Sequence, residues 1–234
     1  MYSLNFTCPI CLEYVKSTGR TLCCGQGICN ECNRKCNETS ETCPLCRAPS
    51  QVTDDEHMAR IFRLKDKSDP VSQNIIGHAY LCGKYGLKKD IKRAMEHLHL
   101  SAEQGYSLAL NNLAHIYKNG EEVEVDMKKA LKLFRQSALQ HNAEARFHIG
   151  YAYYHGTGVK LDIKKALKYF VLAADECHDE AQFACGRIYE KGHDGIERDR
   201  HKALEYYTSA AAHGHGEAQD AINELLNNWY SDIL

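Results

Sequence analysis

With 234 residues the chain has room for one large domain or two smaller ones. It carries 29 Lys plus Arg against 31 Asp plus Glu, a formal net charge of −2, with both signs dispersed along it, so no bulk field draws it to nucleic acid or to a membrane surface. No apolar run approaches the roughly 18 residues of a membrane helix, so a water-soluble protein is expected.

Cysteine dominates residues 1–50. Cys8, Cys11, Cys23, Cys24, Cys29, Cys32, Cys43 and Cys46 fall in the strings CPIC, CCGQGICNEC and CPLCR. Three C-x-x-C units and one adjacent pair supply thiolates for two tetrahedral, all-sulfur zinc sites. So short a segment cannot rely on an apolar core, whereas a structural zinc contributes about 10 kcal/mol to folding. The opening MYSLNF lacks the apolar core of a secretory signal, so a reducing compartment, cytoplasmic or nuclear, is expected. A redox role for a single C-x-x-C would call for a βαβ context. Lys16, Arg20, Arg34, Lys35 and Arg47 are nearly balanced by Glu13, Glu31, Glu38 and Glu41, unlike the basic zinc fingers that read DNA.

The order C-x-x-C, cysteine pair, C-x-x-C, C-P-x-C-R resembles a RING finger, the cross-braced module of many ubiquitin ligases. The resemblance implies two structural zinc ions. One would be held by Cys8, Cys11, Cys29 and Cys32, the other by Cys23, Cys24, Cys43 and Cys46. Where the family usually places a histidine ligand this chain has Gln26, so Cys24 is expected to replace it, as in the all-cysteine RING variant. Adjacent ligands need a turn to converge, which Gly25 and Gly27 can supply. Cys36 is expected to be a free thiol, with a substitute-ligand role as the alternative.

A RING catalyses by positioning: it binds a ubiquitin-charged conjugating enzyme and holds the thioester ready to react. The resemblance places docking at Ile10, Leu12, Pro44 and Leu45, and assigns Arg47, just after the last ligand, to bridging the conjugating enzyme and ubiquitin through its fork of donors. The plainer reading is that Ile10 and Leu45 pack the zinc loops and Arg47 is a solvated charge. The large aromatic frequent after the sixth ligand is missing from NRKCNETSE.

Residues 51–70 read as linker and capping helix: Met58, Ile61, Phe62 and Leu64 recur at mainly helical spacing, predicting a helix over 54–67. A different periodicity then begins. Tyr80, Tyr117, Tyr153 and Tyr189 are 37, 36 and 36 residues apart; Asp90, Asp126, Asp162 and Asp199 follow in step. Ala94, Ala130, Ala166 and Ala203 lie four beyond each Asp, and Ala102, Ala138, Ala174 and Ala211 eight further on. Two amphipathic segments per period predict an α-solenoid of four helical hairpins.

The best-preserved unit contains Ala145, Ile149, Gly150, Tyr153, Gly156, Gly158, Val159, Asp162, Lys165, Ala166, Tyr169, Phe170, Ala173 and Ala174. It resembles the Sel-one-like repeat, a relative of the tetratricopeptide repeat, and the resemblance covers about residues 71–216. The small residues suit close helix approach, each Asp suits an N-cap, and the glycines suit turns. Ala114 replaces the glycine present as Gly77, Gly150 and Gly186; Glu122 replaces a turn glycine; His141 and Cys177 stand where Gly105 and Gly214 end the second helix. A left-handed backbone there would cost each non-glycine residue about 1 kcal/mol. Ala218, Ile222, Leu225 and Trp229 share one face of a C-terminal capping helix.

The 13 histidines form no H-E-x-x-H motif, and His213 and His215 lie in a glycine-rich turn, so solvated or loop histidine is the expectation. Neither a phosphate-binding loop nor a nucleophile elbow appears. The Lys–Lys pairs at Lys88, Lys128 and Lys164 are expected to form a solvated stripe, and Cys82 and Cys185 to be buried thiols. The expected fold is mainly α: a two-zinc cross-brace RING domain over 1–50, then the repeat α-solenoid with its cap over 71–234. The expected function is that of a RING-type ubiquitin ligase. It would work with a ubiquitin-conjugating enzyme and ubiquitin, and its repeats would offer a concave surface to a protein or peptide substrate. The alternative is a non-enzymatic zinc-containing adaptor.

Overall fold

The computed structural model describes residues 69–120, 122–193 and 195–231, with four two-residue strands before them. Strand β1 (Phe6–Thr7) pairs antiparallel with β2 (Tyr14–Val15), and β3 (Gly19–Arg20) with β4 (Gly27–Ile28). The helix expected over 54–67 lies outside the described residues. The chain divides into two compact units, Met1–Gln104 and Gly105–Leu234.

In the first unit α1 (Pro70–Cys82) and α2 (Ile91–Glu103) form a hairpin. Asp69 caps α1, accepting bonds of 2.8 Å from the Ser72 N–H and hydroxyl, while Pro70 supplies a preset φ in the first turn. Ile76 and Ala79 are fully buried, with Tyr80 and Leu87 packed against them. The buried Ser101 hydroxyl is satisfied by the Pro70 carbonyl at 2.5 Å.

The second unit consists, among the described residues, of α3 (Ser107–Asn119), α4 (Met127–Ala138), α5 (Ala143–His155), α6 (Ile163–Ala174), α7 (Asp179–Lys191), α8 (Arg200–Ala212) and α9 (Ala218–Ser231). Helices α3/α4, α5/α6 and α7/α8 are hairpins; α4 packs on α5, α6 on α7 and α8 on α9. Ala166, Phe170, Ala173, Ala181, Cys185 and Ile188 make one continuous core across α6 and α7. Ala203, Tyr207 and Leu225 make the next, against α9. Trp229 meets His201 edge-on at 4.7 Å, so the last helix closes the stack as expected.

Every hairpin is closed by the same polar junction. The tyrosine carbonyl of the first helix accepts the N–H of the capping aspartate at 3.0, 2.9, 2.9 and 2.8 Å in chain order. Asp90, Asp126, Asp162 and Asp199 then accept the N–H of Arg93, Lys129, Lys165 and Lys202 at 2.9–3.0 Å. The backbone bonds from Lys165 and Lys202 hold Asp162 and Asp199 below the ordinary carboxylate range. The cationic heads of the same four residues lie 4.0–5.8 Å from the tyrosine ring centroids. The second lysines of the pairs at 128 and 164 are therefore partnered, not simply solvated. The pair at 88 precedes Asp90 and so falls in another register.

Close approach explains the helix glycines. A Cβ on Gly150 would stand 2.7 Å from the Phe170 ring, and one on Gly186 2.6 Å from Tyr207. Ala114 occupies this position in the second hairpin and is itself fully buried. The turn departures adopt the backbone that glycine favours: φ is 61° at His141, 60° at Cys177 and 55° at Glu122, against 79° and 93° at Gly105 and Gly214. Cys185 is buried as expected, and burial pushes its thiol well above the ordinary range. Cys82 is exposed instead, because it is the last residue of α1, beyond the buried turn of Ile76 and Ala79.

Cys177→Gly is expected to stabilise the fold by about 1 kcal/mol by relieving the left-handed backbone. Gly150→Ala is expected to destabilise it by about 1–3 kcal/mol through overpacking against Phe170. Urea midpoints at unchanged slope measure both.

Candidate functional site

Helix α5 has two apolar faces. Ala145, Ile149 and Ala152 point into the stack and are buried. Phe147, Tyr151 and His155, spaced by four, line the opposite face, where Tyr151 remains 48% exposed. Their rings form a ladder, 6.2 Å from Phe147 to Tyr151 and 4.2 Å from Tyr151 to His155.

This ridge separates two hollows. One, of about 500 Å³, is lined by Phe147, Tyr151, Tyr154, Phe183, Arg187 and His215, among others. The other, of about 460 Å³, is bounded by Lys118, Leu131, Phe134, Phe147, Tyr151 and Glu180. Volumes of this order and apolar walls with a few polar groups are what ligand sites require. His215 stacks on Phe183 at 4.1 Å, and its buried Nδ1 has no hydrogen-bond partner among the described residues, leaving a polar group beside the apolar wall. Arg187, Glu180 and Lys118 place both signs of charge on the rims. Burial also pushes the Lys118 ammonium below its ordinary range.

Beside the second hollow lies a cluster centred on Glu144 in the first turn of α5, where the helix dipole favours an anion. Its Oε1 is 2.9 Å from His148 Nε2 and 3.8 Å from His115 Nε2; its Oε2 is 3.0 Å from His178 Nε2. His178 is the N-cap of α7, and its Nδ1 accepts the Ala181 N–H at 3.2 Å, which leaves the ring proton on Nε2 facing the carboxylate. Hydrogen bonds from His148 and His178 hold Glu144 well below the ordinary carboxylate range. Burial, with His148 and Lys118 nearby, lowers His115 to about 4. The His115 and His148 rings meet edge-on at 4.5 Å, and Phe134 lies 5.4 and 4.9 Å from them.

Cys8, Cys11, Cys23, Cys24, Cys29, Cys32, Cys43 and Cys46 lie outside the described residues, as do Gln26, Cys36 and the docking positions Ile10, Leu12, Pro44, Leu45 and Arg47. The aromatic ridge and the histidine cluster were not anticipated. Their signal is positional: His78, His115, Tyr151 and Arg187 share one register, and the residue type changes in each repeat. The expectation of solvated or loop histidine fails for His115 and His148, which are helical and part-buried; His178 is a loop residue as expected, yet it too is bonded to the same carboxylate.

Four stretches, residues 70–106, 107–142, 143–176 and 179–215, match the family model described as Sel1 repeat. Among solved structures, a Sel1 repeat protein from Oxalobacter formigenes is 30% identical with a TM-score of 0.67, over 73% of this chain and 67% of its own. The uropathogenic Escherichia coli protective antigen c5321, described as displaying an SLR fold, is 26% identical with a TM-score of 0.67, over 74% of this chain and 37% of its own. Shorter stretches resemble proteins named E3 ubiquitin-protein ligase: GW2 of Oryza sativa subsp. indica, 41% identical over 51 residues and 20% of this chain, and RNF166 of Homo sapiens, 30% identical over 99 residues and 42% of this chain. The chain spans 12% of GW2 and 37% of RNF166. Among the described residues no helix is long and apolar enough to cross a membrane.

The low folded-state value of His115 sets a sign for acid sensitivity. Unfolded, this histidine takes up a proton near 6.5; folded, it does so only near 4. Its contribution is complete above pH 6.5 and is lost as the pH falls towards 4. Glu144, held low in the folded chain, adds a loss that begins as the pH falls through the ordinary carboxylate value, at the acid end of this window. The urea midpoint of the native chain is therefore expected to fall between pH 6.5 and 4 by more than that of His115→Phe.

Proposed function

Because the chain belongs to the Sel1 repeat family, an α-solenoid scaffold for protein interaction, we propose that it is a RING-type ubiquitin ligase whose repeats hold the substrate. The observation that carries the ligase reading is the donor set of residues 1–50. Its eight cysteines run in RING order and end in Cys-Pro-Leu-Cys-Arg. Stretches of similarity to GW2 and RNF166, both named ubiquitin ligases, support it.

Eight thiolates suit two closed, all-sulfur zinc sites, with Cys8, Cys11, Cys29 and Cys32 on one ion and Cys23, Cys24, Cys43 and Cys46 on the other. Zinc, when bound, supplies folding free energy and no reactive position. The chemistry rests on residues that touch the conjugating enzyme. Ile10, Leu12, Pro44 and Leu45 offer it an apolar patch, and Arg47 donates to carbonyls of the enzyme and of ubiquitin. Holding the thioester in a reactive pose raises the rate by orientation alone. In the repeats, the ridge of Phe147 and Tyr151 with its two hollows suits apolar side chains of an extended peptide, and Arg187 and Glu180 suit its polar groups. The adaptor reading rests on Gln26 and on the missing aromatic after Cys32. It keeps the same repeat surface and dispenses with ubiquitin transfer.

A reconstituted transfer assay across a panel of conjugating enzymes separates the two. Ile10→Ala and Arg47→Ala, each retaining its thiolate-bound zinc, are expected to lower transfer about tenfold or more, equivalent to roughly 1.4 kcal/mol of positioning. Tyr151→Ala is expected to leave ubiquitin discharge onto free lysine unchanged, since it touches only the substrate surface. No transfer with any enzyme of the panel would favour the adaptor, with partner capture by the repeats as the next measurement.

A further inference from the structure

We infer that His115, Glu144 and His148 form a binding site for one divalent transition-metal ion, separate from the cysteines of residues 1–50. One ligand atom from each of the three lies within 4.8 Å of the others, a spread that small side-chain movements bring to coordination distance. Glu144 and His148 are one turn apart on α5 and share a face, while His115 reaches them from α3. Two imidazoles and a carboxylate suit zinc, cobalt or nickel; magnesium and calcium would want oxygen alone.

The surroundings are those of a built site. His178 grips the second oxygen of Glu144 from outside and is itself oriented by the Ala181 N–H, an arrangement that fixes a ligating carboxylate. Phe134 and Phe147 wall the cluster, with Phe147 stacked on His178 at 4.7 Å. Glu144 stays 46% exposed and His115 30%, so an ion can enter from solvent. The ion takes the place of the hydrogen between His148 Nε2 and Glu144 Oε1. The ring proton of His148 then sits on Nδ1, so no net proton need leave a neutral imidazole. Three protein donors leave a tetrahedral ion one position for water or for a partner's side chain.

Thiolate sites hold metal far more tightly, so the test is run on the full-length chain after a weak chelator has removed loosely held metal. Cobalt(II) is then titrated in. One equivalent is expected to give visible d–d bands without thiolate-to-cobalt charge transfer, and paramagnetically shifted proton signals from two imidazoles. His178→Asn, which keeps a capping side chain but loses the donor to Glu144, is expected to weaken cobalt binding about 10–100-fold. His115→Phe and Glu144→Gln, checked for native helical signal, are expected to abolish the bands. The inference is overturned if the native chain gives no such bands at saturating cobalt, if the shifted signals do not come from two imidazoles, or if the bands persist in either folded variant.

Discussion

The repeat depends on the junction between a tyrosine carbonyl and the N–H of an aspartate nine or ten residues on, for example Tyr153 with Asp162. That bond joins the end of one helix to the start of the next. It also turns the aspartate side chain back onto the second helix, where it satisfies an N–H that has no partner within the helix. The basic residue at the third helical position is drawn to both groups: Lys165 Nζ is 3.0 Å from Asp162 and 5.6 Å from the Tyr153 ring centroid. Closing the hairpin, capping the helix and packing the tyrosine are thus one event. The exposed ion pair adds little, as surface pairs do; the directional backbone bonds define the turn.

With the turn set, the helices can approach only where side chains allow. Gly150 and Gly186 let the rings of Phe170 and Tyr207 approach the facing helix closely, and Ala145, Ala166, Ala173, Ala181 and Ala203 are buried completely. The tyrosine that closes the hairpin also stacks on an aromatic of the second helix: Tyr153 on Tyr169 at 5.9 Å and Tyr189 on Tyr206 at 5.8 Å. In the α3/α4 hairpin Leu133 replaces that aromatic, and Lys129 fills the role instead, 4.0 Å from the Tyr117 centroid and hydrogen-bonded to its hydroxyl at 2.8 Å. The hairpin is preserved because a cation can cover an aromatic face as a second ring does.

What a repeating sequence reveals is what repeats. Tyr, Asp, Ala and Gly at fixed offsets disclosed the hairpins, their caps, the left-handed turn at His141 and Cys177, and the terminal helix, because each encodes a local backbone demand that is the same in every unit. The ridge of Phe147, Tyr151 and His155 was legible in composition but not in role. Aromatics at helical spacing are read as core by default, and only the stacking of neighbouring helices shows which face is already filled. The Glu144 cluster was less legible still, since His115 lies 29 residues from Glu144 and His178 lies 34 residues beyond it. No short motif spans such gaps; the separation is nearly one repeat, so only register between adjacent hairpins brings the groups together. Cys82 failed as a buried thiol because it is the last residue of α1, in the register of Asn119, His155 and Lys191 and not of the core.

The two features of the exposed face share residues, and this couples them physically. Phe147 forms the wall between the hollows and stacks on His178; His148 lines the second hollow and bonds Glu144. A peptide that moved Phe147 would disturb the ring holding the outer oxygen of Glu144. Conversely, anything that fixed Glu144 and His148 would fix the turn of α5 that carries Phe147 and, four residues on, Tyr151. The coupling passes through one helix turn and one ring stack, so each half can bias the other without a change in the hairpin junctions. The positions that recur from repeat to repeat hold the solenoid, while the position shared by His115, Tyr151 and Arg187 differs between repeats. That position is the part of each repeat that the turn, the cap and the close-packed glycine do not constrain, so its side chain can change without disturbing the hairpin.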